Sequence, residues 1–265
     1  MQGINQIFEH SKPIIGVVHL LPLIGNPMST VGLTDVRSRA LSDTAKLVDN
    51  CIDGVLVENY GDVPFFPDHV GAHTVASMTI IAHELREQYP QTPIGINVLR
   101  NDAVAAMAIA SAAQLEFIRV NIHCGAMLTD QGLIQGKAHE TLRYRSTLHS
   151  DVKIFADLSV KHAAPLVPMD LTTSAEDTFG RGLADALVIT GTGTGKPADV
   201  SDLQEVKETI PNAQVFVGSG ITPATINDFL QYADGAIIGT WFKRDGVTTN
   251  EVDASRVQSL IGARG

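Results

Sequence analysis

Residues 214–243 read QVFVGSGITPATINDFLQYADGAIIGTWFK, and this stretch decides the fold. Two short apolar runs, VFV and AII, each end in glycine beside a hydroxyl residue: Gly218-Ser219-Gly220 and Gly239-Thr240. Between them, residues 221–234 carry a Thr222-Pro223 start and the apolar spacing of a helix. The unit is therefore strand, helix, strand, with two parallel strands finishing side by side. Glycines leave backbone N–H groups uncovered, and such groups aimed at one spot near a helix N-terminus favour an anion the size of phosphate. Gly218, Ser219, Gly220, Gly239 and Thr240 are thus candidate phosphate-binding residues. In (β/α)8 barrels that site follows strands seven and eight, so six more strands should precede this pair.

They do. Working back, DALVIT at 185–190, VKIFAD at 152–157, FIRVN at 117–121, TPIGINVL at 92–99, DGVLVE at 53–58 and KPIIGVVHL at 12–20 are short apolar runs of the kind buried on both faces in a parallel sheet. Each is followed by a polar or glycine-rich loop and then a helical pattern, and residues 251–264 close the chain as a last helix. Eight strands alternating with eight helices predict one α/β domain over 1–265, a TIM barrel. The 265-residue length suits one such barrel, and 44% hydrophobic content with only 5% aromatics predicts a core of Val, Ile, Leu and Ala.

The formal charge of −10, with no basic run, argues against nucleic acid as a partner. The first residues lack a basic start and apolar stretch, and the longest apolar run, 14–24, is interrupted by Gly16, His19 and Pro22. No membrane insertion and a cytoplasmic location are expected. Cys51 and Cys124 form no metal pattern, and Cys51 is expected in the core, where free cysteine is usually buried. The outer helices show no apolar stripe beyond what packing on the strands needs; barrels of this kind often pair, so a homo-oligomer is compatible.

Connections from helix to strand are short, whereas those from strand to helix are long and carry His, Asp, Asn, Lys and Gly. The strand C-termini are therefore the working face. That rim supplies His19, Glu58, Asn59, Asp62, Asn97, Asn121, His123, Asp157, Lys161, His162 and Thr190. Glu58 and Asp157, ending strands on opposite sides of the mouth, are the acid/base candidates. Lys161 is the candidate nucleophile or Schiff-base amine if an apolar pocket lowers its pKa. His19 joins the catalytic set, and Asn59, Asn97, Asn121 and His162 are candidate substrate-orienting groups. A divalent metal is compatible with Glu58, Asp157 and His19, but no HxH or HExxH spacing supports one. The run GTGTGKP at 191–197 is neither GxGxxG nor a P-loop, since Pro197 breaks the helix start. Its Gly191 and Gly193 could add N–H groups to the phosphate site, as Lys196 and Lys243 could add charge.

Several stretches taken together, PIIGVVHLLPLIGNP, DGVLVENYGDVPF, FADLSVKHAAPL, DALVITGTGTGKP, VFVGSGITP and GAIIGTWFKRDG, resemble the BtpA family. That family includes a cyanobacterial photosystem I biogenesis protein and the SgcQ-like proteins of bacterial sugar operons. The resemblance implies a TIM barrel of the ribulose-phosphate-binding type without prescribing a reaction. Two expectations follow: an enzyme using isomerase-, epimerase- or aldolase-like proton chemistry on a small phosphorylated sugar, or a non-catalytic barrel that acts as an assembly factor.

Overall fold

Eight strands pair in parallel and close on themselves in the order β1-β11-β10-β9-β7-β4-β3-β2. They are β1 (Ile14–His19), β2 (Gly54–Glu58), β3 (Ile94–Asn97), β4 (Phe117–Val120), β7 (Lys153–Asp157), β9 (Ala186–Ile189), β10 (Val215–Val217) and β11 (Gly235–Ile238). Helices α1 (Leu33–Val48), α2 (Ala72–Gln88), α3 (Ala103–Ala112), α4 (Ala138–Thr147), α5 (Leu171–Glu176), α6 (Val200–Thr209), α7 (Ile226–Leu230) and α8 (Ala254–Ala263) follow the strands in turn. This computed structural model describes residues 4–158, 163–167, 169–191 and 198–265. The closed (β/α)8 barrel read from the sequence is the observed fold.

Two apolar layers hold it. Between strands and helices the packing is aliphatic, as expected, with Val18, Ile96, Ile118, Leu187 and their neighbours buried. Inside the barrel aromatic rings join aliphatic side chains such as Ile15, Val17, Leu56 and Val188: Phe117 stacks on Phe155 at 4.7 Å, and Phe155 meets Phe216 at 4.9 Å between centroids. Ile4 and Phe8, ahead of β1, complete this interior cluster. The low overall aromatic content gives no sign that four of the nine phenylalanines, Phe8, Phe117, Phe155 and Phe216, converge inside the barrel.

One carboxylate clamp repeats four times where strands begin. Asp53 accepts the Ile14 N–H at 2.7 Å, Glu116 that of Ile94 at 2.7 Å, Asp185 that of Ile154 at 2.9 Å and Asp234 that of Val215 at 2.8 Å. Each carboxylate stands just before one strand, grips the start of its neighbour, and pairs with a cation near a helix C-terminus: Arg264, Arg86, Arg145 and Lys207. The barrel is thus stitched as four two-strand units, β1/β2, β3/β4, β7/β9 and β10/β11, at the end away from the polar rim.

Three local expectations need correction. Residues 122–136 are not a plain loop: β5 (Ala126–Thr129) and β6 (Gly132–Gln135) form an antiparallel hairpin, and β8 (Ala163–Pro165) adds to β5 to make a second sheet. The helix expected over 221–234 is only the five-residue α7, beginning four residues after Thr222, because Thr222 and Thr225 bond one another in a turn first. Cys51 is exposed, in the left-handed conformation (φ 62°) that ends α1 and turns the chain toward β2.

Candidate active site

Side chains in a strand alternate between faces, so the residue two positions beyond an interior one points inward again, one layer nearer the mouth. Interior Val17, Leu56, Phe117 and Phe155 therefore lead to His19, Glu58, Arg119 and Asp157, all of which line one cavity of about 620 Å³. Asn97 and Asn121 line it as well.

Arg119 organises the floor. Its Nε donates to Asp157 Oδ1 at 2.9 Å and its Nη2 to Asp157 Oδ2 at 3.0 Å, while Nη1 reaches Glu58 Oε1 at 3.4 Å. Asn121 Nδ2 donates to Asp157 Oδ2 at 2.9 Å and Asn97 Nδ2 to Glu58 Oε1 at 2.9 Å. Burial alone would disfavour the Arg119 charge, but the carboxylates of Asp157 and Glu58 outweigh it and hold its pKa above the ordinary arginine value. Glu58 and Asp157 are thus not separate groups across the mouth: β4 lies between their strands and its arginine bridges them. One cation serves two buried carboxylates unequally, gripping Asp157 with two short bonds and Glu58 with one long one. Glu58 is the freer of the two.

His19 faces Glu58, with Nε2 3.6 Å from Oε2. Its Nδ1 lies 3.2 Å from the Thr248 carbonyl, and its ring lies against Tyr60 with centroids 4.6 Å apart. Gly239 makes room for this ring: a Cβ there would stand 3.0 Å from His19 Cε1.

On the adjoining wall, Gly218, Ser219, Gly220, Gly239 and Thr240 all line the cavity. One part of the expected anion cup changes. The Gly218 N–H donates to the Ile189 carbonyl at 2.8 Å within the barrel ladder, so it is not directed at a ligand. Thr222, whose carbonyl accepts the Ile226 N–H at 3.0 Å as α7 begins, lines the cavity beside Ser219 and Gly220. Gly220 keeps a backbone reason to be glycine, φ 72°. Charge at this wall comes from a residue that strand-end reasoning missed: Arg256 of α8 lines the cavity with its guanidinium 4.1 Å over the Trp241 ring, and its Nε donates to the Trp241 carbonyl at 2.5 Å. The one signal for it, an arginine in the last helix, is too common to single out. Thr240 Oγ1 sits 3.0 Å from Thr248 Oγ1, tying this wall to the residue whose carbonyl meets His19.

Other rim residues do different work. Asn59 does not line the cavity; its Oδ1 accepts the Leu99 N–H at 2.7 Å and its Nδ2 donates to Asp62 Oδ2 at 3.1 Å, stitching the loops after β2 and β3. Asp62 in turn accepts the Leu23 N–H at 2.7 Å, and burial pushes its carboxyl pKa up. His123 is buried beneath the hairpin, 2.8 Å from the Gly182 carbonyl, with its pKa lowered by burial. Thr190 and Gly191 are buried at the end of β9. Lys161, His162, Gly193 and Lys196 lie outside the described residues. Lys243 neither faces the cavity nor meets solvent: it is fully buried with Nζ 3.6 Å from Asp43, which Arg39 also holds at 3.0 Å. Among the described residues no group of three His, Cys, Asp or Glu side chains is arranged to hold a metal ion.

Comparison with known proteins agrees with this architecture. A family model described as the BtpA family matches residues 10–264. The chain is 45% identical over 258 residues to the photosystem I biogenesis protein BtpA of Synechocystis sp., covering 97% of this chain and 90% of that one. It is also 45% identical over 250 residues to an uncharacterized protein of Thermococcus kodakarensis, with 94% of each covered. Among solved structures, 3-hexulose-6-phosphate synthase from Salmonella typhimurium superposes with TM-score 0.58 at 16% identity, covering 95% of this chain and 100% of that one. Phosphoribosyl anthranilate isomerase from Thermus thermophilus does so with TM-score 0.54 at 12% identity, covering 95% and 97%. At such identities the likeness concerns the fold.

Proposed function

The chain belongs to the BtpA family, and on that premise we propose that it is an enzyme acting on a small phosphorylated sugar or related metabolite by proton transfer beside a carbonyl. One observation carries the reading: His19, Glu58 and Arg119 converge at one end of a cavity of about 620 Å³ whose wall is formed by Ser219, Gly220, Gly239, Thr240 and Arg256. That wall would take the phosphate. Glu58 would then remove the proton next to the substrate carbonyl, and the electron pair would move onto the carbonyl oxygen. Arg119, already positioned by Asp157, would stabilise the enolate charge without reorganising. Return of the proton from Glu58 to the former carbonyl carbon, with His19 carrying a proton from the neighbouring hydroxyl to the old carbonyl oxygen, would complete an isomerisation; a proton delivered to the original carbon on its opposite face would instead complete an epimerisation. Asp157 becomes a positioning residue for Arg119, and Asn97 and Asn121 orient the two carboxylates. Lys161 keeps the Schiff-base role that its sequence context gives it.

The names of the structural neighbours, a 3-hexulose-6-phosphate synthase and a phosphoribosyl anthranilate isomerase, suit this substrate class. The reading takes residues 1–265 as one barrel domain working in the cytoplasm, alone or as a homo-oligomer. No described helix is long and apolar enough to cross a membrane. The test is incubation with aldose and ketose phosphates of three to six carbons, and with phosphorylated keto sugar acids of the same length, in deuterium oxide. Proton NMR should show deuterium entering beside the carbonyl of one of them, and no exchange in any would end the proposal.

A second reading, an assembly factor acting through a protein interface, has one observation in its favour. Leu128, Leu133, Leu166 and Val167, on and beside the β6-β5-β8 sheet, are all exposed, by 47% to 62%. Apolar clusters of this kind often mark protein interfaces. Polar substitution of Leu128 and Leu166 would abolish such a role while leaving the isotope exchange intact.

A further inference from the structure

The mouth holds a cation that the phosphate reading does not use. Arg100 follows β3, which stands four places from β10 in either direction round the ring and so directly across the mouth from the Gly218–Gly220 loop. Arg100 lines the same cavity and is only 8% exposed. Its backbone N–H donates to the Phe66 carbonyl at 3.0 Å, which ties the loop after β3 to the loop after β2. Burial pulls its pKa below the usual arginine value, although the charges of Asp157, Asp130 and Glu58 act in the opposite direction. A guanidinium in a low-dielectric wall is stabilised by an anion placed before it, and its five donors can hold a ligand alongside a protein contact.

Resting on the phosphate reading, we infer that the substrate carries a second anionic group, a carboxylate at the end remote from its phosphate, received by Arg100. The substrate class narrows to phosphorylated sugar acids and similar phosphorylated carboxylates. A carboxylate matches one planar guanidinium fork, whereas a second phosphate would bring up to two charges to one arginine beside Asp130. Glu58 and Arg119 then lie between the two anchors, where a carbonyl in the chain of such a molecule would sit.

The test uses chemically plain probes. Alkyl phosphonates, ω-carboxyalkyl phosphonates and alkane bisphosphonates with one to six methylenes are titrated calorimetrically into the wild type and Arg100→Met, with Arg100→Gln as the second variant. At one chain length the carboxylate should tighten binding roughly tenfold over the alkyl phosphonate, the worth of one charge-assisted hydrogen-bonded pair. That gain should vanish in both Arg100 variants, while alkyl phosphonate binding stays as in the wild type. No gain at any length, or a gain that survives both substitutions, overturns the inference and leaves the phosphate reading standing. Tighter binding of a bisphosphonate overturns the carboxylate assignment. If no phosphonate binds the folded protein, the phosphate reading fails first and this inference with it.

Discussion

Arg119 of β4 grips Asp157 of β7 through two parallel hydrogen bonds of 2.9 and 3.0 Å, with both side chains nearly excluded from solvent. Removing the Asp157 charge leaves buried Arg119 with only its long contact to Glu58, and breaking a buried pair in this way costs about 3–5 kcal/mol. Asp157→Asn should therefore lower the melting temperature by on the order of 10 °C for a chain of this size. The sequence alone casts Asp157 as a catalytic base, whose replacement would leave the melting temperature unchanged or raise it. Differential scanning calorimetry separates the two, and an unchanged transition would show that the pair is not structural.

Glu58 is held by only one long contact to Arg119, and Gln can still accept from Asn97 at the same oxygen position. Glu58→Gln should fold, keep its affinity for phosphorylated probes, and lose isotope exchange by about 10²–10⁴-fold, the range for a general base. Exchange within threefold of the wild type would remove Glu58 from the chemistry.

Lys243 gives a pH signature unrelated to the site. Burial pushes its pKa down from 10.5 to about 8, despite the attraction of Asp43. Above about 8 the folded protein sheds this proton while the unfolded chain keeps it up to 10.5, so this contribution makes stability rise with pH across that window. Below the window, burying the charge costs on the order of 3 kcal/mol. Lys243→Met should be more stable than the wild type at pH 7, because Asp43 retains Arg39 and the Val252 N–H, and the difference should shrink toward pH 10. Urea unfolding of both proteins at several pH values checks this; a constant difference would contradict it.

The clamps where strands begin should affect stability alone. Asp185 bonds the Ile154 N–H at 2.9 Å and Arg145 at 2.7 Å, far from the cavity lining. Asp185→Ala leaves a buried N–H unsatisfied and should cost about 1–3 kcal/mol by chemical denaturation without altering phosphonate affinity. A matching loss of affinity would show that the two ends of the barrel are coupled.

The barrel was legible because each strand is a short apolar run followed by a polar loop, a pattern that survives without any contact information. His19, Glu58, Asn97, Asn121 and Asp157 were legible for the same reason: they stand at the polar ends of those runs. Arg119 was not, since FIRVN reads as a strand with one charged interruption. Period two would have found it, because Phe117, Arg119 and Asn121 share the inward face. Lys243 reads from the sequence as a source of charge at the phosphate site because its partner Asp43 is 200 positions earlier and meets it only when the barrel closes. Arg256 and Arg100 reach the cavity through loop and helix geometry that residue spacing does not encode. The N–H of Gly218 looked available only because a glycine's side is open; its hydrogen bond to β9 is a fact of register.

The central claim is that the wall of Gly220, Gly239, Thr240 and Arg256 receives a phosphate. Gly220 is a poor place to probe it, since its positive φ would strain any replacement. Thr240 lines the cavity and has an ordinary side chain facing Thr248. The deciding measurement is calorimetric titration of glycerol 3-phosphate, with glycerol as control, into the wild type and Thr240→Asp. The account predicts saturable binding of the phosphate ester alone to the wild type and its loss in a folded Thr240→Asp. Equal binding by both proteins, or none by the wild type, would contradict it.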